Sequence, residues 1–263
     1  AQPVAALGGL CPQELLDTRP YAREWHFHVL NNRLLSGLPR KFNVAFDGAG
    51  LVPVLEDTND IGFQAVAVND GFGVTPGVWF RLMLGGITGH KDFAHATGVL
   101  VRPADATRVA DAVVRVFIDE GDRTNRNKAR LKYVIDRLGL DKVVALTEEK
   151  LGHELARVPA QAIAPRLPFD RSAHIGVHAQ KQSGLNWIGV VLPVGKLTAA
   201  QMRALARIAG TLGDGDIRLT VWQNLLISGV PTAKRAEALD AITAAGLSAS
   251  ATSIRAGLVA CTG

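Results

Sequence analysis

Trp187-Ile188-Gly189-Val190-Val191-Leu192-Pro193-Val194, followed by Gly195-Lys196-Leu197-Thr198-Ala199-Ala200-Gln201-Met202, is the stretch that decides the fold class. Its first eight residues are apolar and rich in β-branched side chains, the composition of a buried strand. Thr198 with Gln201 three positions later makes a capping box, so a helix opens there and is predicted to reach about residue 209. Gly213-Asp214-Gly215 is a turn, residues 217–227 read as one long strand, and residues 233–245 as a second helix. A β-α-β-α order with short connections describes a small α+β half-domain.

Upstream of it, Pro159, Pro165 and Pro168 mark a linker. Before the linker the pattern predicts a helix over 21–35, a short strand carrying Lys41, a turn at Gly48-Ala49-Gly50, and strands over 61–68 and 78–84. Pro103 suits the first turn of a helix ending near Glu120, where Val109, Val113, Val116 and Phe117 keep helical spacing. A further helix is expected over 125–138, with Leu131, Val134, Ile135 and Leu138 as its apolar stripe and Gly139 as its stop. Arg126, Arg130 and Arg137 would share an adjacent stripe of that helix. The class is therefore α/β in the α+β sense, with two domains.

At 263 residues and 48% hydrophobic content, the chain can bury a sizeable core. No apolar run approaches the ~20 residues that span a bilayer, so no membrane partner is expected. Ala1-Gln2-Pro3-Val4 shows no charged leader, and the two cysteines, Cys11 and Cys261, cannot build a disulfide scaffold. Reduced thiols and a cytoplasmic location are the expectation.

The net charge is +5, and the cations are clustered. In Leu38-Pro39-Arg40-Lys41-Phe42-Asn43, two adjacent cations have no acid between Leu15 and Asp47 except Asp17 and Glu24. Arg123, Arg126, Lys128, Arg130 and Lys132 crowd a second stretch with no acid between Asp122 and Asp136. Such groups must find counter-charge in water, in a distant acid or in an anionic ligand, and their clustering favours the ligand. Nucleic acid is not the expected ligand, because only 6% of residues are aromatic and none interleave with the basic runs. Gly85-Gly86-Ile87-Thr88-Gly89 lacks the Gly-Lys-Ser/Thr ending of a phosphate loop and reads as a turn. The histidines show no spacing for a metal site.

These motifs resemble, in order, those of the sirohaem and [4Fe-4S] nitrite and sulfite reductases. The likeness rests on Leu38 to Asn43 and on Asn125-Arg126-Asn127-Lys128-Ala129-Arg130-Leu131-Lys132-Tyr133. It also rests on His178-Ala179-Gln180-Lys181-Gln182 (with Ala179 where the family usually has proline), Arg218-Leu219-Thr220-Val221-Trp222-Gln223-Asn224 and Gly257-Leu258-Val259-Ala260-Cys261-Thr262-Gly263. The likeness is greatest to bacterial ferredoxin-dependent nitrite reductases. It implies a sirohaem-binding domain over 1–165, a ferredoxin-reductase-like half-domain over 166–250, and the start of a cluster-binding segment over 251–263.

By this resemblance, Lys41 and Asn43 line the substrate side, with Lys41 binding a substrate oxygen and relaying a proton. Arg40, Arg126 and Arg130 would pair with sirohaem carboxylates, Gln223 and Asn224 would contact the cofactor, and Cys261 would be the first cluster ligand. The implied reaction is the assimilatory six-electron reduction of nitrite to ammonia, with ferredoxin as donor and the enzyme a monomer. Sulfite reduction to sulfide, precorrin-3B synthesis and a non-catalytic tetrapyrrole- or anion-binding module are the alternatives. Sulfite-reducing relatives tend to carry a second lysine where this chain has Asn43, which tilts the expectation to nitrite. The family pattern also implies that this sequence is the middle of a longer enzyme, without its later cluster cysteines, and inactive alone.

Overall fold

Val109, Val113, Val116 and Phe117 are buried along one side of a helix, and they belong to the main core of the first of two compact units. The computed structural model describes residues 7–90, 92–250 and 252–260. Among the described residues, one unit comprises Leu15–Ala49 and Val54–Arg166, and the other comprises residues 7–14, Gly50–Pro53 and residues 167–260. Residues 7–14 and 50–53 thus group with the second unit, although the sequence alone gives no reason to separate them from the first.

The first unit is a five-stranded sheet in the order β1-β2-β3-β4-β5: Val44–Asp47, Ile61–Val68, Gly77–Leu84, His95–Val101 and Ala156–Arg157. β1 and β2 are parallel and the other neighbours antiparallel. Helices α1 (Arg19–Asn31), α2 (Ala106–Glu120), α3 (Leu131–Leu138) and α4 (Leu140–Leu151) contribute to one core with the sheet. Register explains the two faces of the sheet. Phe46, Phe63 and Leu82 align across three strands in that core, and Phe46 stacks on Phe63 at 5.0 Å. One residue along, Asp47, Gln64 and Arg81 align and point the other way.

The second unit is a four-stranded antiparallel sheet, β6 (Gly176–Ala179), β7 (Leu185–Val190), β8 (Ile217–Leu219) and β9 (Leu225–Pro231), in the order β6-β7-β9-β8. Helices α5 (Ala199–Leu212) and α6 (Arg235–Ala244) pack Leu205, Ile208, Ala238 and Ile242 against Ile188, Val190 and Ile227. A short helix α7 (Ser253–Ala256) follows. The Thr198–Gln201 capping box forms as the sequence predicts. The His178–Gln182 motif acts as a staple: Gln180 Oε1 accepts from Gly229 N at 2.7 Å, and Gln182 Nε2 donates to Gly9 O at 2.8 Å.

Four sequence expectations give way to local chemistry. The helix expected over 125–138 begins only at Leu131, because the Asn125 side chain accepts from Asn127 N at 3.1 Å and caps a separate short turn, Arg126–Lys128. Arg130 is left extended, at φ −88° and ψ 160°, so Arg126, Arg130 and Arg137 share no helical stripe. The strand expected over 217–227 is a hairpin, turned where Gln223 N donates to Thr220 O at 3.1 Å. The helix expected over 21–35 stops at Asn31, where the Asn32 side chain accepts from Leu34 N and opens a short turn. Residues 38–43 form no strand, and β1 starts after them at Val44. Gly139, at φ 85°, both ends α3 and opens α4, a helix that the sequence reading does not anticipate.

Candidate functional site

Arg40, Lys41 and Asn43 reach one cavity of about 270 Å³ in the first unit, together with Arg126, Asn127 and Arg130. Thr58 and the turn Ile87-Thr88-Gly89 complete its lining. Two basic segments more than 80 residues apart therefore meet at one place. The contact between them is direct, since Arg40 Nη1 donates to the Arg126 carbonyl at 2.5 Å.

A shared carboxylate supports the meeting. Asp60, the residue just before β2, is fully buried; its Oδ1 accepts from Arg130 Nε at 3.0 Å and its Oδ2 from Arg130 Nη2 at 2.7 Å. The same Oδ2 accepts from the backbone N of Asn43 at 2.8 Å. Burial pushes the Asp60 carboxyl above the ordinary aspartate range, against the opposing pull of Arg130 and of the Asn43 N–H. Arg130 thus gives its two-pronged face to a protein acid, and among the described residues only Nη1 of its guanidinium has no hydrogen-bond acceptor.

The other wall depends on Gly86. Its N donates to Asn59 O at 3.0 Å, and a Cβ there would meet Asp57 O at 2.3 Å. Only glycine lets the turn after β3 lie against the Glu56–Thr58 segment, and this brings Thr58 and Thr88 to the same cavity.

Among the described residues, Arg40, Lys41 and Arg126 form no ion pair with any carboxylate, whereas Lys132 is held by Asp92 at 2.7 Å and by Asp136 at 2.8 Å. Arg123 donates to the carbonyls of Gly37 and Ile118. The basic cluster thus divides. Some cations serve the protein's own acids and carbonyls, and three face the cavity without a counter-charge. Such a donor set, with the Asn43 and Asn127 amides beside it, suits an oxyanion or the carboxylates of a larger ligand. The volume lies below the ~300 Å³ at which drug-sized pockets begin, so the cavity takes a small anion and only the edge of anything larger.

Gln223 and Asn224 belong to the second unit. Gln223 Nε2 donates to Ala260 O at 2.6 Å and its Oε1 accepts from Ala260 N at 2.8 Å, a two-point clasp on the backbone. The buried Asn224 accepts from Leu192 N at 2.8 Å through Oδ1 and lies 3.3 Å from His174 Nε2 through Nδ2. Its amide is committed to the protein. Cys261 lies outside the described residues. Cys11 is buried, and its Sγ accepts from Leu51 N at 3.1 Å. Among the described residues no group of three or more His, Cys, Asp or Glu could hold a metal ion.

The sequence reading gives Asp60 and Thr58 no place, and has Thr88 only within a turn and Asn127 only within the second basic motif, without a role for either. The only local sign of Asp60 is an Asn-Asp pair set directly against the apolar run of β2. It also passes over the far face of the first sheet. There Glu56 and Asp47 are both buried, Gln64 Nε2 donates to Glu56 Oε1 at 2.5 Å, Arg81 donates to Gln64 Oε1, and Arg166 Nη2 donates to Asp47 Oδ1 at 3.1 Å. Burial, with Asp47 beside it, pushes the Glu56 carboxyl from 4.5 up to about 8.

The fold and the cavity define an α+β protein with a cation-lined cavity in its first unit. Comparison with known proteins gives the family. Residues 4–155, more than half the chain, match the model described as the nitrite and sulphite reductase 4Fe-4S domain. Residues 178–245 match the nitrite/sulfite reductase ferredoxin-like half domain. The chain belongs to the nitrite and sulphite reductase family. It is 39% identical to the ferredoxin–nitrite reductase of Leptolyngbya laminosa, over 82% of this chain and 41% of that protein. It is 35% identical to the chloroplastic ferredoxin–nitrite reductase of Zea mays, over 98% of this chain and 46% of that one. The solved structure of the Mycobacterium tuberculosis NirA protein superposes with a TM-score of 0.85 at 29% identity, covering 98% of this chain and 46% of that chain. The chain therefore spans about half the length of the relatives it matches.

Proposed function

We propose that the complete polypeptide carrying this sequence is an assimilatory nitrite reductase, taking six electrons from ferredoxin to convert nitrite to ammonia. The observation that carries the reading is the single cavity lined by Arg40, Lys41, Asn43 and Arg126, whose cations have no carboxylate partner among the described residues. The donor set fits a carboxylate-rich macrocycle at its edge. Arg40, Arg126 and the remaining Nη1 of Arg130 would hold sirohaem, and Cys261 would be a first ligand of a [4Fe-4S] cluster. Sirohaem, when bound, supplies the iron on which the anion is reduced, and the cluster supplies the electrons.

The chain's own residues account for the rest. The Lys41 ammonium would donate to an oxygen of the bound anion and relay a proton to it as charge develops there. The Asn43 amide donates a second hydrogen bond without adding charge. A monoanion such as nitrite needs less neutralisation than the more highly charged sulfite, so an amide at this position favours nitrite. Asp60 and the Gly86 contact hold the two walls in place. Among the described residues no helix is long and apolar enough to cross a membrane. The buried free thiol of Cys11 suits a reducing cytoplasm. A monomer is part of the same reading.

The test is Lys41→Gln in the complete protein. With sirohaem content unchanged by its absorption spectrum, nitrite turnover should fall about 100-fold or more, the usual loss for one preorganised donor. Undiminished turnover in a fully loaded variant would remove Lys41 from the site and the reading with it.

A further inference from the structure

We propose that Asp60 is a positioning residue that also sets the charge of the anion cavity, and with it the preference for singly over doubly charged oxyanions. This rests on the functional reading above and deepens it.

The geometry comes first. Two oxygens receive three N–H donors, the bond count of an ionised carboxylate: Arg130 Nε at 3.0 Å, Arg130 Nη2 at 2.7 Å and Asn43 N at 2.8 Å. The backbone at both ends of this strut is fixed as well. Gly85 N donates to Asp60 O at 2.9 Å, and Ile61 N donates to Asn43 O at 3.1 Å. One side chain therefore ties the segment of Lys41 and Asn43 to the segment of Arg126 and Arg130.

A buried ion pair is a poor stabiliser, since desolvation of both charges offsets their attraction. What Asp60 supplies instead is an orientation for the guanidinium plane and a negative charge next to the cavity. Of the four cations lining the cavity, Arg130 is the one whose charge is compensated. Loss of the Asp60 charge would leave all four uncompensated, and the added field would act twice as strongly on a dianion as on a monoanion. The same carboxylate that places Arg130 thereby limits how well the cavity accepts sulfite. Asn43 and Asp60 then work in the same direction, one by lacking a cation and the other by cancelling one.

The experiment is a spectral titration of the complete, sirohaem-loaded protein with nitrite and with sulfite, comparing Asp60→Asn with the unaltered sequence. The expected result is a shift in the ratio of the two apparent dissociation constants toward sulfite of about tenfold or more, the effect of one unit charge within about 12 Å at an effective permittivity of about 20. Asp60→Ser removes the same charge and keeps an acceptor for the Asn43 N–H, so it should shift the ratio the same way if Asp60→Asn does not fold. The double variant Asp60→Asn with Arg130→Gln restores neutrality and should bring the ratio back. A role in folding alone would weaken both anions together and leave their ratio fixed, and that result overturns the proposal. An unaltered protein that responds to neither anion would sink the functional reading itself, and it is measured before any variant.

Discussion

Glu56→Gln should make the first unit more stable at neutral and alkaline pH and leave it nearly unchanged in acid. Glu56 is 5% exposed and Asp47 is 1% exposed, and Gln64 donates to Glu56 Oε1. Burial first, and then the neighbouring Asp47 charge, raise the Glu56 carboxyl from 4.5 to about 8, so the folded protein holds a proton that the unfolded chain releases. Stability from this group is therefore complete below about pH 4.5 and is lost as pH rises toward about 8, where the loss levels off. At about 1.4 kcal/mol per pH unit the ceiling is near 5 kcal/mol, of which about 3 kcal/mol is reached at pH 7. Glutamine has the shape of the protonated acid and can donate to Asp47 as the acid does, but it has no proton to lose. Urea unfolding of both proteins at pH 5, 6, 7 and 8 gives the difference directly. It should be small at pH 5 and grow by roughly 1 kcal/mol per unit above that. Parallel stability–pH curves for the two proteins would refute the assignment of a proton to Glu56.

Two other outcomes follow from the sites. Asn43→Lys in the complete enzyme should raise sulfite turnover relative to nitrite, because it adds a cation to a cavity that already holds three without carboxylate partners among the described residues; an unchanged ratio in steady-state assays would argue against substrate selection at this position. Gln223→Ala removes both hydrogen bonds to Ala260 and should speed amide exchange at Ala260 by about tenfold while leaving exchange in β9 unchanged. Unchanged protection at Ala260 would show that the clasp does not hold this backbone in solution.

Much of the architecture is legible in the residues, and the misses share a cause. The strands over 61–68 and 78–84, the helix after Pro103 and the Thr198–Gln201 cap all depend on periodicity or on neighbours within one turn, and the structure has them where the pattern puts them. The misplaced boundaries lie where a side chain competes with the backbone, as Asn125 and Asn32 do by capping short turns. The hairpin at residues 220–223 is concealed by residues that individually favour strands. Its turn places Gln223 at φ 59°, a conformation no propensity would assign to it.

The α+β class, the two basic stretches and the question of what answers their charge are all legible in the residues alone. Those follow from composition and spacing, which are local properties. Which cations remain uncompensated was decided only in three dimensions, because Asp60 lies 17 residues from Asn43 and 70 from Arg130. Charge acts through space rather than along the chain. The folded sheet therefore brought an unremarked aspartate to Arg130 while leaving Arg40, Lys41 and Arg126 facing the cavity.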